Sequence, residues 1–159
     1  YSEYTEAVGQ WWEKEAPDWV ELRTEALTLL QREDRLQQIV KLVGPDVLPE
    51  VQRLILFVAE IIKDGFLAQS AFDENDMYSS PRKQVYILRI IMNLYRKARD
   101  LIQNGVSLSD VRSMQCISQV VRAKSSIGNA EMEKLDQLEQ IVRNELEGLE
   151  RKHGKKELT

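Results

Sequence analysis

The sequence has one cysteine, Cys116, and one histidine, His153, among its 159 residues. A lone cysteine excludes an internal disulfide and points to a reducing compartment, so the expected location is cytoplasmic. One His and one Cys supply neither a Cys–His nucleophile–base pair nor a zinc ligand set. Apolar runs such as "LILFVA" at 54–59 are short, far below the roughly 20 residues that span a bilayer. No charged-then-apolar leader opens the chain, so no secretory signal is expected. There is no basic excess either: the net charge is −4 and 30% of residues are charged. That balance argues against a general nucleic-acid binder. Neither GxxxxGK[ST] nor GxGxxG occurs; "HGKKE" near the end lacks the first glycine and a preceding strand. The chain opens on Tyr1 rather than Met, which suggests the last part of something longer.

Glycine and proline are also scarce, at seven and four, and they fall mainly between periodic segments. Gly9, Gly65 and Gly148 are the exceptions inside expected helices, each at a cost of about 1 kcal/mol relative to Ala. The periodicity is helical throughout. Leu36, Ile39, Val40 and Val43 read as one buried face, as do Val51, Leu54, Ile55, Val58, Ile61 and Ile62. Val85, Leu88, Met92 and Tyr95 form a third face, and Leu135, Leu138, Val142, Leu146 and Leu149 a fourth. No apolar–polar alternation of strand length is present. The fold class is therefore all-α, an antiparallel helical bundle of about five to six helices.

Local chemistry places the boundaries. Pro17 suits a first helical turn, and Ser80-Pro81 is an N-cap followed by Pro at the first helical position. Asn104-Gly105 ends the helix that opens there. "SLSD" at 107–110 resembles a capping box with Asp110 in the usual Glu position, and Gly128-Asn129 precedes the last helix. These signals predict helices near 3–15, 17–43, 49–69, 81–103, 108–124 and 130–152. Residues 16–152 form the bundle, and 153–159 are expected to be a flexible tail.

Tests for chemistry mostly fail. An EF-hand loop starting at Asp73 in "FDENDMY" would need Gly at 78 and Glu at 84, where the sequence has Tyr78 and Gln84. A solvated interhelical turn is the reading that remains. Cys116, among Met114, Ile117 and Val120, reads as a small buried thiol, and His153, in a lysine-rich tail, as solvated and idle. Trp11, Trp12 and Trp19 could anchor the first helix to the bundle or face another domain. No catalytic residue and no metal ligand is expected in this chain. Between two helices, "GPDVLPE" at 44–50 is either a connector or a working surface. On these residues alone the reading is a helical interaction module, with a free-standing adaptor or scaffold as one form of it.

The stretch from 30 to 84 carries more. "IVKLVGPDVLP", then a helix ending in "FLAQSAFDENDMYSS", then a helix starting with Lys83-Gln84 after a Ser-rich cap resemble the C-terminal helical domain of the catalytic A subunit of archaeal and vacuolar-type rotary ATPases. "YSEYTEAVGQWW" and "PDWVELRTEALTLLQRE" resemble the path by which that subunit leaves its nucleotide-binding domain, so residues 1–15 would be that exit segment. The likeness is most specific from 36 to 84 and fades after about 105.

The resemblance implies two working places. In the related F-type β subunit the matching interhelical turn is the acidic DELSEED stretch that faces the rotating shaft. Its counterpart here is Asp46, Val47, Leu48, Pro49 and Glu50, with only two acids, so steric pushing by a stiff apolar turn is expected rather than charge attraction. In the family, the equivalents of Gln69, Ala71 and Phe72 line the adenine pocket. The phosphate loop, the catalytic carboxylate and the magnesium site would lie upstream, so this chain alone would be no enzyme and would hold no cofactor by itself. ATP or ADP with magnesium would be the ligand of the whole subunit, coupling synthesis or hydrolysis to shaft rotation and proton or other ion transport. Expected partners are the central-stalk rotor subunit, neighbouring non-catalytic B subunits and the chain's own nucleotide-binding domain, on the head of a membrane-bound complex. The helix from Pro49 to Ala68, roughly 28 Å long at 1.5 Å per residue, would link the two places as a lever.

Overall fold

Capping residues and apolar periodicity divide the chain into helices much as the sequence predicts. The computed structural model describes residues 18–68 and 80–157. Helix α1 spans Trp19–Val43, and a 3-10 turn over Pro45–Val47 leads into α2, Glu50–Ile62. A π-helical turn, Lys63–Leu67, continues α2 directly. Then follow α3 (Pro81–Gln103), α4 (Leu108–Arg112), α5 (Cys116–Ser126) and α6 (Met132–Glu157). Among the described residues there is no strand, and the architecture is an all-α helical bundle.

Helix α3 is the centre. Its start is fixed by Ser80, whose Oγ accepts from the Lys83 N–H at 3.2 Å, with Pro81 in the first turn. Its end is a Schellman closure: Gly105 N–H reaches the Ile102 carbonyl at 3.0 Å and Val106 N–H the Leu101 carbonyl at 2.9 Å. Gly105 carries the positive φ of 105° that this closure requires. Val85, Ile87, Leu88, Ile90, Ile91 and Met92 are all buried and make a wide apolar face, while Arg82, Arg89, Asn93 and Arg96 line the remaining, polar side. A face this wide can hold several neighbours at once, and α1, α2, α5 and α6 all pack against it.

The outer helices present stripes. Leu22, Ala26, Leu29 and Leu36 are the buried side of α1. Two charged staples hold α1 to α3: Arg89 donates to both Asp18 oxygens at 2.8 Å, and Arg96 pairs with Glu25. On α6 the predicted stripe of Leu135, Leu138, Val142 and Leu146 is buried, with Leu149 packed at its end. Trp19 packs against the core; Trp11, Trp12 and the expected helix at 3–15 lie outside the described residues.

Two boundaries differ from expectation. The helix expected over 108–124 is two helices, α4 and α5, separated at Ser113–Gln115. Ser107 caps the first by accepting from the Asp110 N–H. The second start is capped from far along the chain, because the Glu145 carboxylate accepts from the N–H groups of Gln115 at 3.1 Å and Cys116 at 2.8 Å. The last helix runs to Glu157, through the segment expected to be a flexible tail. His153 is consequently not idle: its Nε2–H donates to the Asn104 carbonyl at 2.8 Å, and its ring lies over Gly105.

Candidate functional site

The α1–α2 turn is built as a stiff, apolar tip. Gly44 ends α1 with φ +87°, its N–H bonded to the Val40 carbonyl at 2.9 Å. No atom lies within 4 Å of where its Cβ would be, so the demand for glycine there comes from the backbone angle alone. Pro45 starts the 3-10 turn, which Leu48 N–H closes on the Pro45 carbonyl at 3.1 Å. Pro49 precedes α2, and its carbonyl receives the N–H groups of Gln52 and Arg53 at 3.0 Å. Two prolines with fixed φ leave the turn little freedom.

The five residues expected to meet a partner here do not share one orientation. Asp46, Val47 and Pro49 are exposed, Val47 at 63%. Leu48 is 6% exposed and belongs to the core, so it anchors the turn from beneath instead of presenting a surface. Glu50 is half-buried and turns towards α4, accepting from the Leu108 N–H at 3.3 Å.

The last turns of α1 expose three large apolar side chains, of which helical periodicity alone assigns Ile39 and Val43 to the core. Leu42 is 84% exposed, Val43 57% and Ile39 42%. Of the face predicted from Leu36, Ile39, Val40 and Val43, Leu36 is buried and Val40 half-buried. The buried stripe steps by four and three through residues 22, 26, 29, 33, 36 and 40, so Ile39 lies beside it. Val43 continues the register and is still exposed, because helix α1 runs on past the described residues that cover the stripe. Ile39, Leu42, Val43 and Val47 thus make an apolar end to the hairpin, with Lys41 and Asp46 as charges of opposite sign nearby.

At the other end of α2, the π turn delivers the chain to Ala68, and it returns at Ser80 as the N-cap of α3. Gln69, Ala71 and Phe72, expected to form an adenine wall, lie outside the described residues, as does the "FDENDMY" segment. Helix α2 and its π turn join the tip to Ala68 without interruption, 13 residues followed by five, or about 27 Å. Cys116 is fully buried as expected, and burial pushes its thiol pKa well up, with the Glu145 carboxylate adding to the shift. Among the described residues, no three His, Cys, Asp or Glu side chains are grouped as a metal site would require.

Comparison with known proteins decides the family. The family model described as the C-terminal domain of V and A type ATP synthase matches residues 9–112. The chain belongs to this family. The match includes the tip, all of α2 and all of α3. The V-type ATP synthase alpha chain of Halothermothrix orenii is 49% identical over 139 residues, 87% of this chain and 24% of that protein. The A subunit of the A-type ATP synthase of Ignicoccus hospitalis is 41% identical over 141 residues, again 87% of this chain and 24% of that protein. For its counterpart in the A-type ATP synthase of Pyrococcus horikoshii the figures are 39% over 155 residues, 97% and 16%. The chain therefore spans about a quarter or less of the length of these relatives. No helix among the described residues is long and apolar enough to cross a membrane.

Proposed function

We propose that this chain is the C-terminal domain of a catalytic A subunit, with the α1–α2 tip as its rotor-facing end. The observation that carries the reading is the exposed cluster of Ile39, Leu42, Val43 and Val47 on a turn stiffened by Pro45 and Pro49. Four large apolar side chains exposed together on a rigid end suit a surface that another protein covers. Their near-neutral setting favours steric pushing over charge attraction. In this proposal Gln69, Ala71 and Phe72 contact adenine, while an upstream domain holds the phosphates and magnesium. Nucleotide binding closes the bundle onto that domain, and α2 carries the movement to the tip as a hinge-type domain motion. In synthesis the central-stalk shaft drives the same lever backwards, linked through the complex to ion transport. Non-catalytic B subunits flank this one in the head of a membrane-bound complex.

The contact is testable directly. In the assembled complex, Val47→Cys carrying a photoactivatable maleimide should cross-link to the central shaft. Cys116 will not compete for label, since it is fully buried and its thiolate is disfavoured. Adducts confined to components other than the shaft would remove the rotor-facing role.

A further inference from the structure

Two lysines are buried where α5 meets the end of the π turn. Lys83 is 0% exposed and Lys124 7%, which is rare for a residue that seldom leaves water unpaired. The Lys124 ammonium donates to the carbonyl oxygens of Phe66 and Ala68, both at 3.0 Å. The Lys83 ammonium donates in turn to the Lys124 carbonyl at 2.6 Å. The last carbonyls of a helix have no acceptor role inside it, and here a cation from another helix satisfies them.

The same turn is fixed on its other sides. Lys63, its first residue, pairs with the buried Glu33 of α1, Nζ lying 2.7 Å from Oε1. Gly65 presses on α5 so closely that a Cβ there would lie 3.1 Å from Val121 Cα. The returning chain is held as well, for Ser80 N–H donates to Asn129 Oδ1 at 2.8 Å. Ala68 and Ser80, the described residues flanking 69–79, are thus both pinned by side chains from the region just after residue 120.

We propose that Lys124, seated by Lys83, is a positioning residue for nucleotide binding. It fixes the direction in which the chain leaves Ala68, and so sets affinity for the base without touching the nucleotide. This rests on the reading of Gln69, Ala71 and Phe72 as adenine contacts. Residues this far beyond Phe72 carry no sequence signal for such a role; a lysine near a helix end ordinarily reads as solvated charge.

The test uses the full-length protein with two probes, Mg-ATP and inorganic tripolyphosphate, which lacks the base. Calorimetry should show that Lys124→Met weakens ATP about tenfold, as expected for losing a charge-assisted pair of hydrogen bonds, and leaves tripolyphosphate unchanged. Lys124→Arg should recover part of the loss, and amide exchange at Leu67 and Ala68 should rise in Lys124→Met. Phe72→Ala run in parallel should also lose ATP selectively. If Phe72→Ala loses ATP and Lys124→Met does not, the positioning role is overturned and the adenine reading stands. If Phe72→Ala has no effect, the adenine reading fails and the proposal with it. Equal loss of ATP and tripolyphosphate in Lys124→Met also overturns the role. Should Lys124→Met fail to fold, Lys124→Gln is read by the same three outcomes.

Discussion

Val47 and Leu48 are adjacent, yet their side chains face opposite ways: Val47 is 63% exposed and Leu48 6%. The pair separates contact from support at the tip. Leu48→Ala should destabilise the domain by about 2–3 kcal/mol, since a buried leucine is truncated. Val47→Ala should change stability by less than about 0.5 kcal/mol. Urea unfolding midpoints of the two variants check this. Equal midpoints would show that Leu48 is no anchor.

Glycines 44 and 148 should respond to alanine with opposite signs. Gly44 has φ +87° and ψ 160°, and a side chain held in that region costs roughly 1–3 kcal/mol. Gly148 lies inside α6 with nothing within 4 Å of its would-be Cβ, so Gly148→Ala should stabilise by up to about 1 kcal/mol. Thermal melts of both variants would reveal the difference, as a fall and a rise in Tm.

Glu145 caps α5 through the N–H groups of Gln115 and Cys116. Glu145→Ala should cost about 1 kcal/mol, the usual scale for losing a cap. The loss should be local, so amide exchange should accelerate first at residues 115–118. Uniform acceleration along α6 would point instead to lost packing of Glu145 itself.

Asp18 gives the fold a pH dependence of known sign. The Arg89 hydrogen bonds hold its carboxyl below the usual carboxylate range. A folded-state pKa lowered in this way adds stability above the unfolded value of about 3.9. That stability is lost as pH falls through the lower folded value. Both side chains are more than a third exposed, so solvent screening limits the effect to about 0.5–1 kcal/mol. Asp18→Asn should therefore be less stable than the parent chain at about pH 6 and nearly equal to it at about pH 2.5. Denaturant midpoints at the two pH values measure the change, and a constant gap would remove the pairing as its cause.

The sequence is readable where a signal is local. Pro81 and Gly105 bracket α3 at the predicted ends, and Leu135 to Leu146 form the expected stripe. The split between α4 and α5 is not readable, because its second cap comes from Glu145, about 30 residues away. His153 misleads for the same reason: only the length of α6 brings it over Asn104 and Gly105. At the tip, periodicity places Ile39 and Val43 correctly on a helix but cannot say that helix α1 outruns its cover. The exposed cluster is therefore larger than the turn residues alone suggest, and Leu48 has a different task in it.

The proposed lever works only when the apolar tip transmits force to a rotating shaft. Ions moved per ATP hydrolysed, measured on the reconstituted complex carrying Ile39→Ser, Leu42→Ser and Val47→Ser together, test it most directly. The expected result is a lower ratio with Mg-ATP affinity unchanged, because exposed side chains at one end of α2 are altered and the adenine end is not. A ratio equal to that of the unmodified complex would contradict it.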